Sequence, residues 1–301
     1  MYNLRELTAL CEKLGCKITP ECSLKEYTTF RIGGPCRALI SINSAVSAAE
    51  MLKYLKANDI RYGVLGRGSN IIVSDEGFDG VILLIGSDFA KITVDGDTLK
   101  CQAGVLLASA CANAQQRGLT GLENLFGIPG TVGGALFMNA GAYGSEMKDV
   151  VVSAKYIDEN CNICTIDAED MDLSYRHSIF SDRNCIITSV KMKLEKGDPA
   201  EIKKAMTECM HKRSSKQPLE YPSAGSTFKR PEGSYASLLI DQCGLKGMSR
   251  GGAQVSEKHS GFVINKGDAT CSDVLELCED IKKIVFDKTG FMLELEPVIL
   301  R

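Results

Sequence analysis

The chain has 301 residues, enough for two domains at about 150 residues each and for a substantial core. Apolar residues make up 44% and charged residues 24%, which excludes a disordered, collagenous or coiled-coil chain. Thirty-five basic residues against 38 acidic ones leave a net charge of −3, too balanced for the overall basic field of a general nucleic-acid binder.

The first predicted element is a helix over 3–14, with Asn3 as its cap and Leu4, Leu7, Cys11 and Leu14 at helical spacing. Arg5, Glu6, Glu12 and Lys13 interrupt its leucines, so it lacks the apolar run of a secretory signal. A second helix is predicted over 44–58, opened by Ser44. Residues 60–103 read as short strands at 62–65, 70–73, 81–85, 91–94 and 99–103, broken by glycine and aspartate turns. The longest apolar stretches, such as 81–85, fall far short of the ~20 residues of a membrane span. The protein is expected to be cytoplasmic, without membrane contact.

A helix over 106–117 precedes a glycine-rich segment at 127–144, followed by a strand-turn-strand pattern over 150–166 and a strand near 185–194. Lys196-Gly-Asp-Pro199 marks a boundary. Beyond it a helix over 200–213 opens a second region, which holds a long helix over 271–288 with a box-like start, Thr270-x-x-Asp273, and a stop at Gly290. A strand over 291–300 ends the chain, and the whole pattern is α+β.

Thirteen cysteines are odd in number and scattered, so they do not form a disulfide framework and read as small, reduced, apolar residues. The pair Cys161 and Cys164 falls at the tip of the 150–166 pattern and reads as a hairpin turn rather than a zinc or redox site. His177, His211 and His259 are the only histidines, too few for a histidine-rich metal centre or a conventional hydrolase triad. No metal site is expected. The phosphate loop of nucleotide hydrolases, the zinc-protease helix, the nucleophile elbow and the dinucleotide fingerprint of parallel-sheet dehydrogenases are all absent.

What remains is glycine clustering. Nine of the 29 glycines fall in two stretches, three in Gly63–Asn70 and six in Gly127–Gly144. That density favours ligand-binding loops over simple turns, because glycine lets the backbone come close to a ligand and turn its N–H groups onto a phosphate. A helix starting near Thr131 would aim its positive end at the same place.

The loops Gly66-Arg-Gly-Ser-Asn70 and Gly127-Ile-Pro-Gly-Thr-Val-Gly-Gly134, preceded by Thr28-Thr-Phe-Arg-Ile-Gly-Gly34, resemble those of the UDP-N-acetylenolpyruvoylglucosamine reductases, also called UDP-N-acetylmuramate dehydrogenases. Ser174-Tyr-Arg-His-Ser178, Ala224-Gly-Ser-Thr-Phe-Lys229, Gly252-Ala-Gln-Val-Ser256 and Leu293-Glu-Leu-Glu296 follow in the same order. The resemblance runs roughly from 27 to 299. The segment between Arg176 and Ser226 is too short for the tyrosine-bearing lid of longer members, which points to the shorter, type II form.

That resemblance implies an α+β architecture: a vanillyl-alcohol-oxidase-type (PCMH-type) FAD-binding domain in two subdomains, plus an α+β substrate-binding domain. The FAD-binding region would span 1–198, with subdomains of about 1–85 and 86–198 and the strand 292–301 returning to it. The substrate-binding domain would span 199–291. FAD would be held by Gly66, Arg67, Gly68, Ser69 and Asn70 and by Gly127, Ile128, Pro129, Gly130, Thr131, Gly133, Gly134, Asn139 and Gly141. NADPH would reduce the flavin, which then reduces the enolpyruvyl group of UDP-N-acetylglucosamine enolpyruvate to give UDP-N-acetylmuramate, a cell-wall precursor. No nucleic-acid partner is expected, given the balanced charge, and the chain is expected to be a monomer or weak homo-oligomer.

Hydride addition to the terminal carbon of the enol ether pushes charge onto the neighbouring carboxylate, so the reaction needs a cation, a hydrogen-bonding partner and an acid. By motif position Arg176 is the cation, Glu296 lies beside the same carboxylate and Ser226 donates the proton. Tyr175, Lys216, Lys229, Arg230 and Gln254 would contact the substrate. Each has a plainer reading: Arg176 paired with Asp172 at the surface, Ser226 making turn hydrogen bonds, Glu294 and Glu296 on the solvated face of a strand, and the lysines at a solvated helix end. Another flavin oxidoreductase, or a binding protein without turnover, would keep the same glycine loops.

Overall fold

Residues 4–301 are described by the computed structural model; Asn3, the expected cap of the first helix, lies outside them. That helix, α1 (Leu4–Leu14), buries Leu7 and Cys11, four residues apart on one face. Helix α2 (Ala45–Ala57) begins as predicted: Ser44 is extended and its hydroxyl accepts the Ser47 N–H at 3.0 Å, while Ser47 returns a bond to the Ser44 N–H at 3.1 Å. Strands Lys17–Ser23, Pro35–Ser41, Phe78–Leu84 and Tyr62–Leu65 form a four-stranded sheet in that order.

A second, five-stranded antiparallel sheet has the order Ile163–Asp167, Val151–Ile157, Ile186–Lys193, Thr98–Gln102, Ile92–Asp95. The central strand carries five consecutive buried residues, Ile186 to Val190, because α4 (Val132–Phe137) packs on it. Helix α3 (Leu107–Gln116) precedes that packing. Cys161, at φ 63°, sits at the tip of the 151–167 hairpin, as the sequence predicts. All 13 cysteines are free and 11 are buried. Burial pushes the thiols of Cys11, Cys101, Cys111 and Cys278 up to about 12, so they act as small apolar residues.

The chain forms two compact units. The first comprises the described residues through Pro20, Ala38–Arg67 and Gly80–Lys212; the second comprises Glu21–Arg37, Gly68–Asp79 and Arg213–Arg301. This division departs from a break at 198. Helix α5 (Pro199–Lys216), expected to open the second region, buries Ile202 and Met206, spaced four apart, in the core of the first unit.

In the second unit α6 (Ala236–Gln242) and α7 (Cys271–Thr289) pack beside a small sheet of Ser249–Arg250, Ala253–Val255 and Val263–Asn265. Phe30, Ile32 and Ile72 complete its core from the N-terminal half of the chain. Of the predicted final strand, only Val298–Leu300 forms a ladder, parallel to Ile71–Val73. Pro297, which has no N–H to donate, separates it from an isolated bridge between Leu295 and Phe228. Among the described residues no helix is long and apolar enough to cross a membrane.

Candidate active site

The two glycine segments meet in the first unit. A Cβ on Gly66 would lie 2.6 Å from Thr131 Oγ1, and one on Gly133 would lie 2.7 Å from the Ala103 Cβ. Glycine is needed at both for space: a side chain at 66 would push the two segments apart, and one at 133 would push the start of α4 off Ala103. Thr131 caps α4, its hydroxyl accepting the Gly134 N–H at 3.3 Å.

The expectation that this helix end receives a phosphate is corrected by its hydrogen bonds. Val132 donates to Val105 O at 2.7 Å and Gly133 to Ala103 O at 2.9 Å. With Gly134 on Thr131, the first three N–H groups of the helix are engaged within the protein. An anion at these loops would therefore be met by loop backbone and by the exposed Arg67. Loop backbone with the exposed Arg67 beside Gly66 fits the anionic part of a flavin nucleotide.

Gly68, Ser69 and Asn70 belong to the second unit. Gly68 takes φ 64° and packs so tightly that a Cβ would stand 2.3 Å from Tyr27 O. The Thr29 N–H donates to Gly68 O at 3.2 Å, and Asn70 Nδ2 donates to Glu296 O at 3.3 Å.

Arg176 sits at the tip of a tight turn in the first unit, where Ser174 and His177 exchange backbone hydrogen bonds of 3.2 Å in each direction. Its φ is 55°, a position at which glycine or asparagine is usual. The turn is held from below. Buried Asn139 donates from Nδ2 to Ser174 O at 2.9 Å and to Glu146 Oε2 at 2.8 Å, and its Oδ1 accepts the Lys148 N–H at 2.9 Å. The Asn139 amide is thus committed to the protein, so the contact expected between it and a cofactor falls to other groups.

Arg176 donates from Nη2 to Gly141 O at 3.4 Å and lies over the Tyr175 ring, 5.0 Å from its centroid. The Asp172 carboxylate instead faces His177, which stands 3.1 Å from both Asp172 Oδ2 and Ser181 Oγ. Lys148, hydrogen-bonded to Glu146, holds the Glu146 carboxyl below the usual range, with smaller contributions from Asn139 and the Arg176 charge.

Ser226 and Glu296 are brought together in the second unit. The Glu296 N–H donates to Thr227 O at 3.0 Å, and Lys229 N–H donates to Glu294 O at 2.9 Å. Gly225, at φ 82°, turns the chain into Ser226. Buried Thr227 then fixes it: its N–H donates to Gly261 O at 2.9 Å and its hydroxyl accepts the Val263 N–H at 2.8 Å. The two glutamates part company here. Glu294 is exposed and pairs with Lys229 Nζ at 3.5 Å, while Glu296 is half-buried.

Arg230 lies over the Tyr235 ring at 4.6 Å, and Gln254 donates from Nε2 to Gly247 O at 3.3 Å. Lys216 is exposed at the end of α5. Burial, with Lys246 and Lys216 nearby, lowers the pKa of His259. Its Nδ1 accepts the Gly261 N–H at 3.2 Å, which makes it a structural partner of the Thr227 turn. The sequence reading missed Thr227, whose partners Val263 and Glu296 lie 36 and 69 residues away, and Glu146, whose partners Lys148 and Asn139 are close by but form no recognisable motif.

Residues 36–167 match the family described as "FAD binding domain". Together with the α+β architecture and the paired glycine segments, this makes the chain an FAD-dependent oxidoreductase. Residues 217–300 match "UDP-N-acetylenolpyruvoylglucosamine reductase, C-terminal domain".

The chain is 48% identical over 276 residues to a UDP-N-acetylenolpyruvoylglucosamine reductase of Caldanaerobacter subterraneus subsp. tengcongensis, covering 92% of this chain and 90% of the relative. One from Clostridium perfringens is 46% identical over 282 residues, covering 94% and 92%. The crystal structure of the Thermus caldophilus enzyme superposes with a TM-score of 0.81 at 34% identity, over 95% of this chain and 99% of that one. The chain belongs to the UDP-N-acetylenolpyruvoylglucosamine reductase family.

Proposed function

We propose that this enzyme uses NADPH to reduce the enolpyruvyl group of UDP-N-acetylglucosamine enolpyruvate, giving UDP-N-acetylmuramate for peptidoglycan precursor synthesis. The observation that carries this reading is the pairing of the Ser226 and Glu296 segments through the Thr227–Glu296 hydrogen bond, in a chain related to such reductases along more than nine-tenths of its length. Bound FAD supplies the two-electron chemistry between the nicotinamide and the enol ether. Arg176 holds the substrate carboxylate through parallel N–H donors. Glu296 stands against the same carboxylate, and Ser226 gives the proton to the carbon next to it.

Gly66, Arg67, Gly68, Ser69 and Asn70, with the backbone of 127–134 and Gly141, hold the cofactor. Lys216, Lys229 and Arg230 meet the diphosphate, and Tyr175 and Gln254 line the sugar-nucleotide side. In this reading the cofactor region runs through 198 with the strand 292–301, and 199–291 binds substrate; the FAD-binding family match at 36–167 lies within the first, and the reductase C-terminal match starts at 217, within the second. A nucleotide-sugar acceptor and a nicotinamide donor both belong to the cytoplasm, where the enzyme acts as a monomer or weak homo-oligomer.

The test is anaerobic: reduce the flavin with one equivalent of NADPH, then add UDP-N-acetylglucosamine enolpyruvate and follow visible absorbance. Bleaching and substrate-dependent recovery are expected. A flavin that bleaches without recovering would remove this substrate. In Ser226→Ala, flavin reduction by NADPH should keep its rate while reoxidation by substrate slows by about 10²-fold or more; equal slowing of both steps would make Ser226 structural.

A further inference from the structure

Arg176 rests on two supports, and one side chain touches both. The first is its turn, tied down where Asn139 Nδ2 donates to Ser174 O at 2.9 Å. The second is Gly141 O, which accepts from Arg176 Nη2 at 3.4 Å. Glu146 meets each of them. Its Oε2 accepts from Asn139 Nδ2 at 2.8 Å, and it stands opposite Gly141 in a short antiparallel ladder of Gly141–Ala142 against Ser145–Glu146.

The Glu146 side chain lies against Gly141, where an added Cβ would stand 2.6 Å from the Glu146 Cγ. Its backbone is fixed as well, the Glu146 N–H donating to Asp149 Oδ2 at 2.7 Å. With the Glu146 carboxylate on its Nδ2 and the Lys148 N–H donating to its Oδ1 at 2.9 Å, the Asn139 amide has one orientation, which turns its second N–H onto Ser174 O. The Arg176 charge helps to hold the Glu146 carboxyl below its usual range, so guanidinium and carboxylate lie within Coulomb reach. The ion pair of Glu146 with Lys148, at 2.9 Å and with side chains 26% and 46% exposed, contributes little stability by itself.

We propose that Glu146 is a positioning residue for Arg176: through the Asn139 amide and the Gly141 strand it fixes the turn and the guanidinium that receive the substrate carboxylate. This rests on the role of Arg176 in the reading above and adds a residue behind it. Misplacing a binding group by about 1 Å can cost on the order of 10²-fold in rate. Reduction of the flavin by NADPH involves no substrate carboxylate, so the loss should fall on the step with the enol ether alone.

The test follows the two half-reactions anaerobically in FAD-loaded wild type, Glu146→Ala, Glu146→Gln, Arg176→Ala and the double variant Glu146→Ala/Arg176→Ala. Glu146→Ala is expected to slow flavin reoxidation by UDP-N-acetylglucosamine enolpyruvate by about tenfold, with flavin reduction by NADPH within about twofold of wild type. Glu146→Gln keeps an oxygen for Asn139 and should reoxidise within about threefold of wild type. Because Glu146 acts through Arg176, adding Glu146→Ala to Arg176→Ala should slow reoxidation no further.

Equal slowing of both half-reactions in Glu146→Ala would overturn the proposal, as would wild-type reoxidation or a tenfold loss repeated in the Arg176→Ala background. So would Glu146→Gln reacting no faster than Glu146→Ala, since the path runs through the hydrogen bond. Should Glu146→Ala not fold, Glu146→Asp, whose carboxylate falls one methylene short of Asn139, decides by the same comparisons. A wild-type flavin that NADPH reduces and this substrate does not reoxidise would instead remove the reaction proposed above, and with it the role of Arg176.

Discussion

Arg176 adopts φ 55°, a backbone state that crowds the Cβ of an L-residue against its own carbonyl oxygen and costs roughly 1–2 kcal/mol. Such strain persists where the surroundings impose it, and here Asn139 ties the turn at Ser174 O. Arg176→Gly is therefore expected to raise the unfolding free energy by about 1 kcal/mol while turnover falls by about 10²-fold or more. Urea unfolding and steady-state kinetics on one preparation check both. A variant that loses stability as well would mean that its contacts to Gly141 O and the Tyr175 ring outweigh the strain.

Asn139 gives the complementary case, since it is fully buried at φ 41° and its amide makes three hydrogen bonds. Asn139→Gly keeps the backbone state but strands those partners, at a cost of about 2–3 kcal/mol. Asn139→Ala adds the left-handed penalty and should cost about 1 kcal/mol more. Equal losses in the two variants would show that backbone conformation contributes nothing at this position.

At the level of elements, α7 shows a helix whose limits are written locally. Thr270 accepts the Asp273 N–H at 3.0 Å, the Asp273 carboxylate accepts the Thr270 N–H at 3.0 Å, and Gly290 ends the helix at φ 75°. Hydrogen bonds from the Thr270 and Gly252 backbones hold the Asp273 carboxyl below its ordinary value. A depressed carboxylate adds stability above the unfolded pKa and loses it as pH falls through the lower folded pKa. Asp273→Asn should thus show a smaller drop in melting temperature between about pH 4 and about pH 3 than wild type. A parallel pair of curves would contradict that role.

Local signals are legible in the residues themselves; long-range ones are not. The start and stop of α7 and the Ser44 cap of α2 lie within three or four residues of their partners, so composition and spacing reveal them. The start of α4 at Thr131 was legible for the same reason. Its acceptors were not, because Ala103 O and Val105 O lie nearly thirty positions away and are brought there by sheet packing. Ser226 and Glu296 could be marked through a family resemblance, yet the Thr227 clamp joining them spans some seventy residues and leaves no local pattern. The final strand is shorter than its pattern implies, because alternating Leu293-Glu-Leu-Glu296 mimics a ladder that Pro297 interrupts.

On the scale of the whole molecule, the chain passes between its two units at 20/21, 37/38, 67/68, 79/80 and 212/213, so neither unit is one continuous stretch. The second core shows the consequence. Its helices α6 and α7 come from the C-terminal third, but Phe30 at 2%, Ile32 at 1% and Ile72 at 0% exposure come from the N-terminal half. Val298–Leu300 takes its strand partner, Ile71–Val73, from there too. Asp75 further caps α7, its carboxylate accepting the N–H groups of Cys271 at 2.7 Å and Ser272 at 2.9 Å.

A fragment of residues 213–301 would lack three core side chains, a strand partner and a helix cap. Each missing aliphatic or aromatic side chain removes about 2–5 kcal/mol, which together exceed the margin of an isolated domain. The fragment is expected to be unfolded, with poorly dispersed amide resonances and little cooperative melting. In the full chain, Phe30→Ala alone should cost about 3–5 kcal/mol. Cooperative unfolding of the isolated fragment near the wild-type temperature would show that the N-terminal segments decorate this core rather than build it.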